Sequence, residues 1–184
     1  PIEYLDLVIT TLHEEQNKAY NYIIKKSKEV HPELNEPREG IQYTVIDAPE
    51  QALNIIYPNE NIDSGDIDYK GLYGKTGLGR IMYSDKNTKK QYKYSQKTID
   101  NFGRIFNSDE GEKSPLRKYS SKIYSIIDTI KNSDGIILVY SSYIDGGCVP
   151  IALALEEIGI TRYGDRSKSL FETPPKESIG RYVM

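Results

Sequence analysis

The sequence predicts an α/β fold with parallel strands, and three observations in its last third carry that expectation. In SSKIYSIIDTIKNSDG, Ile123, Ile126, Ile127 and Ile130 recur at i, i+3, i+4 and i+7, one face of a helix that Asp134-Gly135 would stop. GIILVYSS follows, a continuous apolar run of strand length, which in the centre of a parallel sheet means burial on both faces. After the turn YIDGG, VPIALALEEIG places Pro150 where the first turn of a helix tolerates it, and Gly159 where a left-handed cap favours glycine. Segments 160–163 and 182–184 would be further strands, which makes helix, strand, turn, helix and strand a unit with right-handed crossovers.

The elements ahead of that unit are more mixed. LDLVIT reads as a strand over 4–10, followed by a helix to about residue 30, with Thr11 and Glu14 at capping-box spacing. Leu12, Ala19, Tyr20, Ile23 and Ile24 form its apolar stripe, which Gln16 interrupts. Pro32, Pro37 and Gly40 end the pattern, QALNIIYP brings a second apolar stretch, and 59–68 is acidic and loop-like. In KNTKKQYKYSQK, Lys86, Lys89, Lys90, Lys93 and Lys97 alternate with Tyr92 and Tyr94, a solvated insertion that could also contact phosphates and stack bases. The polar stretch NSDEGEKSP marks a composition shift, so the expected division is a loop-rich extension over 1–113 and a compact module over 114–184.

GLYGKTGLGRIM contains the letters of a phosphate loop, yet Tyr69 stands where its first glycine belongs, and SGDIDYK, not a buried strand, leads into it. Gly77 and Gly79 follow at once, each costing about 1 kcal/mol inside a helix, so the expectation is a glycine-rich turn before the apolar 81–83.

Composition narrows the remaining choices. A formal charge of −3 and a pI near 5.5 exclude a globally basic nucleic-acid binder and leave room for a local basic face. A single cysteine, Cys148, excludes an intrachain disulfide framework and a cysteine-rich zinc site. No apolar run is long enough to span a membrane, and PIEYLDLVITTLHEEQ is no signal peptide. Pro1 at one end and the apolar RYVM at the other lead us to expect part of a longer protein.

Ligands of open α/β sheets sit outside the carboxyl ends of strands. Here that edge carries Tyr140, Ser141, Ser142, Tyr143, Asp145, Gly146 and Gly147: hydroxyls and backbone N–H groups ahead of a helix N-terminus, a setting for phosphate that Asp145 opposes. His13 and His31 read as solvent-facing, and Cys148 as a small buried hydrophobe. Glu156 and Glu157 are adjacent, so they face different sides of a helix and make a poor acid/base pair. Arg162 and Tyr163 read as exposed strand-end residues.

SSKIYSIIDTI, followed by GIILVYSSYIDGGCVPIALALEEIGITRYG, resembles the start of the second RecA-like domain of superfamily 2 helicases. It is similar in particular to those of the nucleocytoplasmic large DNA viruses, related to the poxviral early transcription factor ATPase and nucleoside triphosphatase. YSSYIDGGCVPIALALEEIG matches the strand, turn and helix of the fourth helicase motif, and QALNIIYP and GLGRIM resemble the stretch joining the two lobes. The resemblance implies a partial RecA-like parallel sheet with flanking helices in an ATP-driven motor on DNA, with RNA left open. It also implies a partner first lobe, coupling to a viral RNA polymerase, and a setting in host cytoplasm, viral factory or virion. By position it gives Ser141, Ser142, Gly146 and Gly147 a nucleic-acid backbone role, with Tyr140, Lys89, Lys90 and Lys93 as further candidates. The Walker lysine loop, the acidic magnesium motif and the late arginine motif are absent from these residues. ATP and Mg²⁺ are therefore expected to bind elsewhere in the parent protein, and this chain alone is not expected to hydrolyse ATP. A free-standing module for a phosphorylated ligand and a non-catalytic interaction piece are the alternatives.

Overall fold

A computed structural model of the chain describes residues 6–32, 43–65, 67–84, 91–164, 168–174 and 176–184. Helix α1 (Glu14–Val30) starts at His13, whose Nδ1 accepts from the Glu15 N–H at 3.3 Å. The expected Thr11 cap is not formed; the Thr11 carbonyl accepts from Arg117 Nη1 at 3.2 Å instead. Gln16, which interrupts the apolar stripe, is completely buried. Its Nε2 donates to the Ala52 carbonyl at 3.1 Å and its Oε1 accepts from the Ser121 N–H at 3.0 Å, so one amide joins three segments. The Ala52 carbonyl belongs to helix α2 (Tyr43–Asn54), which runs into the buried segment 55–57. There the Ile56 N–H reaches the Tyr119 carbonyl and the Tyr57 N–H the Leu72 carbonyl, at 3.0 and 2.8 Å.

GKTGLGRI forms helix α3 (Gly74–Ile81), where the sequence led us to expect a turn. The glycines are there for contact. A Cβ on Gly77 would enter the ring of buried Tyr57 and lie 3.2 Å from the Gly71 carbonyl oxygen, whereas one on Gly79 would meet nothing within 4 Å. Packing against Tyr57 therefore outweighs the propensity cost that argued against a helix. Gly77→Ala is expected to destabilise by about 1–3 kcal/mol through overpacking, and Gly79→Ala to stabilise by about 0.4–1 kcal/mol. Urea denaturation of the two variants checks this pair, since a flexible turn would tolerate both alike.

Strands β1 (Met82–Ser84) and β2 (Tyr92–Tyr94) pair antiparallel, Met82 opposite Tyr94. Helix α4 (Gln96–Phe102) follows, capped by the Ser95 hydroxyl. Helices α5 (Pro115–Tyr119) and α6 (Ser121–Lys131) come next, and Ile123 and Ile127 of α6 are buried as the periodicity requires. A single π-helical turn, Ile144–Cys148, leads into α7 (Val149–Glu157), which carries Pro150 in its first turn and is buried on every side. Gly159 takes the left-handed conformation, φ +93°, after it. Strands β3 (Ile160–Arg162) and β4 (Gly180–Tyr182) pair parallel, Ile160 opposite Gly180.

Mixed helices and small sheets are compatible with an α/β class, but among the described residues the parallel pairing is limited to β3 with β4 and the single Tyr92–Phe171 bridge. The run 136–140, expected as a buried central strand, is instead unpaired and exposed. Ile136, Leu138 and Tyr140 are 105, 94 and 86 % exposed while Ile137 and Val139 are 42 and 38 % exposed, so the strand alternation is present without neighbouring strands to cover it. Residues 6–10, expected within a strand over 4–10, form none, and Leu7, Val8 and Ile9 are exposed.

One buried cluster crosses position 113. The Tyr94 ring stands 6.2 Å from Phe106 and 5.7 Å from Phe171, and the Leu116 N–H reaches back to the Asn107 carbonyl at 3.1 Å. The polar stretch 107–115 thus links parts of a shared core.

Candidate nucleic-acid interface

The chain leaves the exposed run at Tyr140 and turns through Ser141, Ser142 and Tyr143 into the π-helical turn. The turn is held from inside: the Tyr143 N–H donates to Ser141 Oγ at 3.2 Å, and the Cys148 N–H to the Tyr143 carbonyl at 2.9 Å. Gly146 and Gly147 are buried. A Cβ on Gly146 would lie 2.7 Å from Gln51 Oε1, and one on Gly147 would overlap the Ser141 side chain. These two glycines let the turn close against α2 and against itself. Tyr140 and Ser142 are exposed and Ser141 is half-buried, so of the expected contact residues of this turn these three are the ones a ligand can reach.

They line an open cleft of about 320 Å³ between the turn, α2 and the start of α6. Lys122 is the cation of its lining and Glu50 the anion. Lys122 Nζ donates to Asn54 Oδ1 at 2.8 Å, which steers the ammonium along the rim. The Tyr143 hydroxyl donates to Glu50 Oε2 at 2.6 Å, and desolvation together with that bond pushes its pKa upward, so it stays protonated. Asp145, the residue opposing phosphate in the sequence, does not line the cleft. Its charge acts on the Tyr57 and Tyr92 hydroxyls: burial raises both pKa values first, with Asp145 adding to it at Tyr92, and Tyr92 and then Asp145 adding to it at Tyr57.

Sequence reasoning missed Lys122, Asn54 and Glu50. Lys122 lies 68 positions from Asn54 and further still from Glu50, and nothing in local periodicity brings α2 beside α6. Of the lysine-rich candidates, Lys93 sits on β2, exposed, with its ammonium 3.4 Å from Glu172; Lys89 and Lys90, like Lys86, lie outside the described residues. Arg162 Nη2 donates to the Met184 carbonyl at 2.8 Å, and Cys148 is a free, half-buried thiol.

The GKT stretch does not have the setting of a phosphate loop. Helix α3 is entered from a 3₁₀ turn, Tyr69–Leu72, and not from a strand, and Gly74 packs on Gln51. Among the described residues no three His, Cys, Asp or Glu side chains converge as a metal site, and no helix is long and apolar enough to cross a membrane. Comparison with models of protein families, with curated proteins and with solved structures returned no match.

Proposed function

We propose that this chain supplies a backbone-contacting turn to an ATP-driven superfamily 2 motor acting on DNA, of the kind that large DNA viruses couple to transcription. The observation that carries the reading is the open cleft that gathers Ser141, Ser142, Tyr140 and Lys122 at the end of an apolar run and ahead of α7. A phosphodiester would be met there by the Ser142 hydroxyl and the Lys122 ammonium, with the Glu50 carboxylate already engaged by the Tyr143 hydroxyl. ATP hydrolysis and Mg²⁺ binding belong, on this reading, to another lobe, and a viral RNA polymerase is the partner that the sequence resemblance implies.

The test is single-stranded DNA binding followed across salt concentrations. Ser142→Glu is expected to weaken binding about tenfold or more and to lower the dependence of log affinity on log salt by about one contact's worth. Absence of salt-sensitive binding, or a variant that binds like the wild type, removes the assignment. A second reading, a protein-interaction module, is favoured by the unpaired Ile136, Leu138 and Tyr140 face; in the same experiment it gives no DNA affinity and a concentration-dependent increase in mass.

A further inference from the structure

A second cavity, of about 120 Å³, opens between the loop after residue 57, the C-terminal end of α3 and the first turn of α4. Asn59 is part of its lining. The Asn59 Oδ1 accepts from the Asn61 N–H at 3.0 Å, which fixes the amide's orientation, and the Nδ2 is left buried with no acceptor. Buried donors are nearly always paired, so an unpaired one at a cavity calls for a ligand that accepts. Neighbouring charge says which kind.

Arg80 and Lys97 line the same cavity. The Arg80 side chain is exposed, lies over Gly71, and makes no hydrogen bond or ion pair with the described residues. Lys97 Nζ is 3.2 Å from Glu60 Oε2, and the other Glu60 oxygen accepts from Asn101 Nδ2. Two cations face one carboxylate, and the surplus is positive. The Ser95 and Thr98 hydroxyls at the wall are already committed, Thr98 Oγ1 to the Ile81 carbonyl at 2.9 Å and Ser95 Oγ to Thr98. What remains is one buried amide donor beside an exposed guanidinium and an exposed ammonium that shares a single carboxylate, in a space too small for a base and sugar.

We propose that this cavity binds a phosphate oxyanion, seated on Asn59 Nδ2 and held by Arg80 and Lys97. The oxyanion is either free phosphate or a phosphodiester of the same strand that passes Ser142. The second source is geometrically open because α3 joins the two places: its Gly74 end packs on Gln51, which also packs on Gly146, and Arg80 is six residues further, about 9 Å along the axis. That polymer version rests on the proposed DNA contact at Ser142; binding of phosphate itself does not.

The experiment follows the Asn59 side-chain amide in ¹⁵N-labelled chain while inorganic phosphate is added at constant ionic strength, with chloride as the control. The expected result is a saturable shift with phosphate only, weakened about tenfold by Arg80→Gln, in proportion to the loss of one charge-assisted hydrogen bond, and unchanged by Ser142→Glu. Lys97→Gln, an exposed substitution, serves as the second weakening variant. No saturable shift, an equal shift with chloride, or phosphate binding unaltered in both variants overturns the site. Single-stranded DNA then separates the sources: a reduced salt slope in Arg80→Gln identifies the phosphodiester, and an unchanged slope beside intact phosphate binding identifies the free ion. A wild-type response in Ser142→Glu removes the DNA contact while leaving this site standing.

Discussion

Glu156→Ala is expected to lower the stability of the fold by about 3–5 kcal/mol. The side chain is completely buried, and its two oxygens accept four hydrogen bonds. Oε1 takes the Leu170 N–H at 2.8 Å and the Tyr182 hydroxyl at 2.9 Å, while Oε2 takes the Phe171 N–H at 2.9 Å and the Ser169 hydroxyl. Among the described residues segment 168–171 has a single β-bridge, Tyr92 to Phe171, and Gln91 Nε2 donates to its Ser169 and Phe171 carbonyls at 3.2 and 3.4 Å, so the carboxylate takes the backbone N–H groups that a strand partner would otherwise pair. Truncation leaves two buried backbone donors unpaired. Glu156→Gln is nearly the same shape and yet is expected to cost about 2 kcal/mol or more, because whichever oxygen becomes the amide nitrogen then faces an N–H donor. Urea midpoints at unchanged slope measure both effects, and variants within about 1 kcal/mol of wild type would show that the clamp contributes little.

The adjacency of Glu156 and Glu157 in the sequence correctly separates them onto two sides of a helix, but it gives no sign that both are buried. That burial depends on residues 13 to 63 positions away, which supply the donors. Local features were easier to see: the periodic isoleucines of α6, Pro150 at the start of α7 and the left-handed Gly159 after it all rest on contacts within a few residues. The failures share a cause as well. Whether 136–140 is a covered strand depends on neighbours that its own residues do not specify, and whether GKTGLGRI is a turn or a helix depends on Tyr57, which comes 17 residues before Gly74. Of the candidate site, the turn was legible from its hydroxyls and glycines. Its opposite wall, with Lys122 and Glu50, was not, because tertiary packing alone assembles it.

Arg104→Ala is expected to destabilise by about 2–3 kcal/mol near neutral pH, and the loss is expected to shrink as the pH falls. Glu157 is 2 % exposed; its Oε2 is 3.1 Å from Arg104 Nε and its Oε1 accepts from the Tyr94 hydroxyl, also at 3.1 Å. The guanidinium in turn lies over the Tyr94 and Phe171 rings, at 5.2 and 5.6 Å. Because the arginine side chain is 39 % exposed, water tempers the pairing, and the expected cost sits at the low end for breaking a buried ion pair. Desolvation raises the Glu157 pKa even though Arg104 and Tyr94 pull it down. A carboxyl with a raised folded-state pKa contributes stability that is fully present below its unfolded value and is lost as the pH climbs through the folded one. Removing Arg104 takes away the largest lowering influence, so the folded value rises further and the alkaline-side loss becomes deeper and extends to higher pH. Melting curves from about pH 4 to pH 8 should therefore converge for wild type and variant at the acid end and separate toward neutrality, by an amount that a cavity alone, being independent of pH, would not produce. Glu157→Gln placed on the Arg104→Ala background removes the stranded charge and should flatten that separation; if the gap keeps the same size at every pH, the arginine acts through its packing on the two rings and not through its charge.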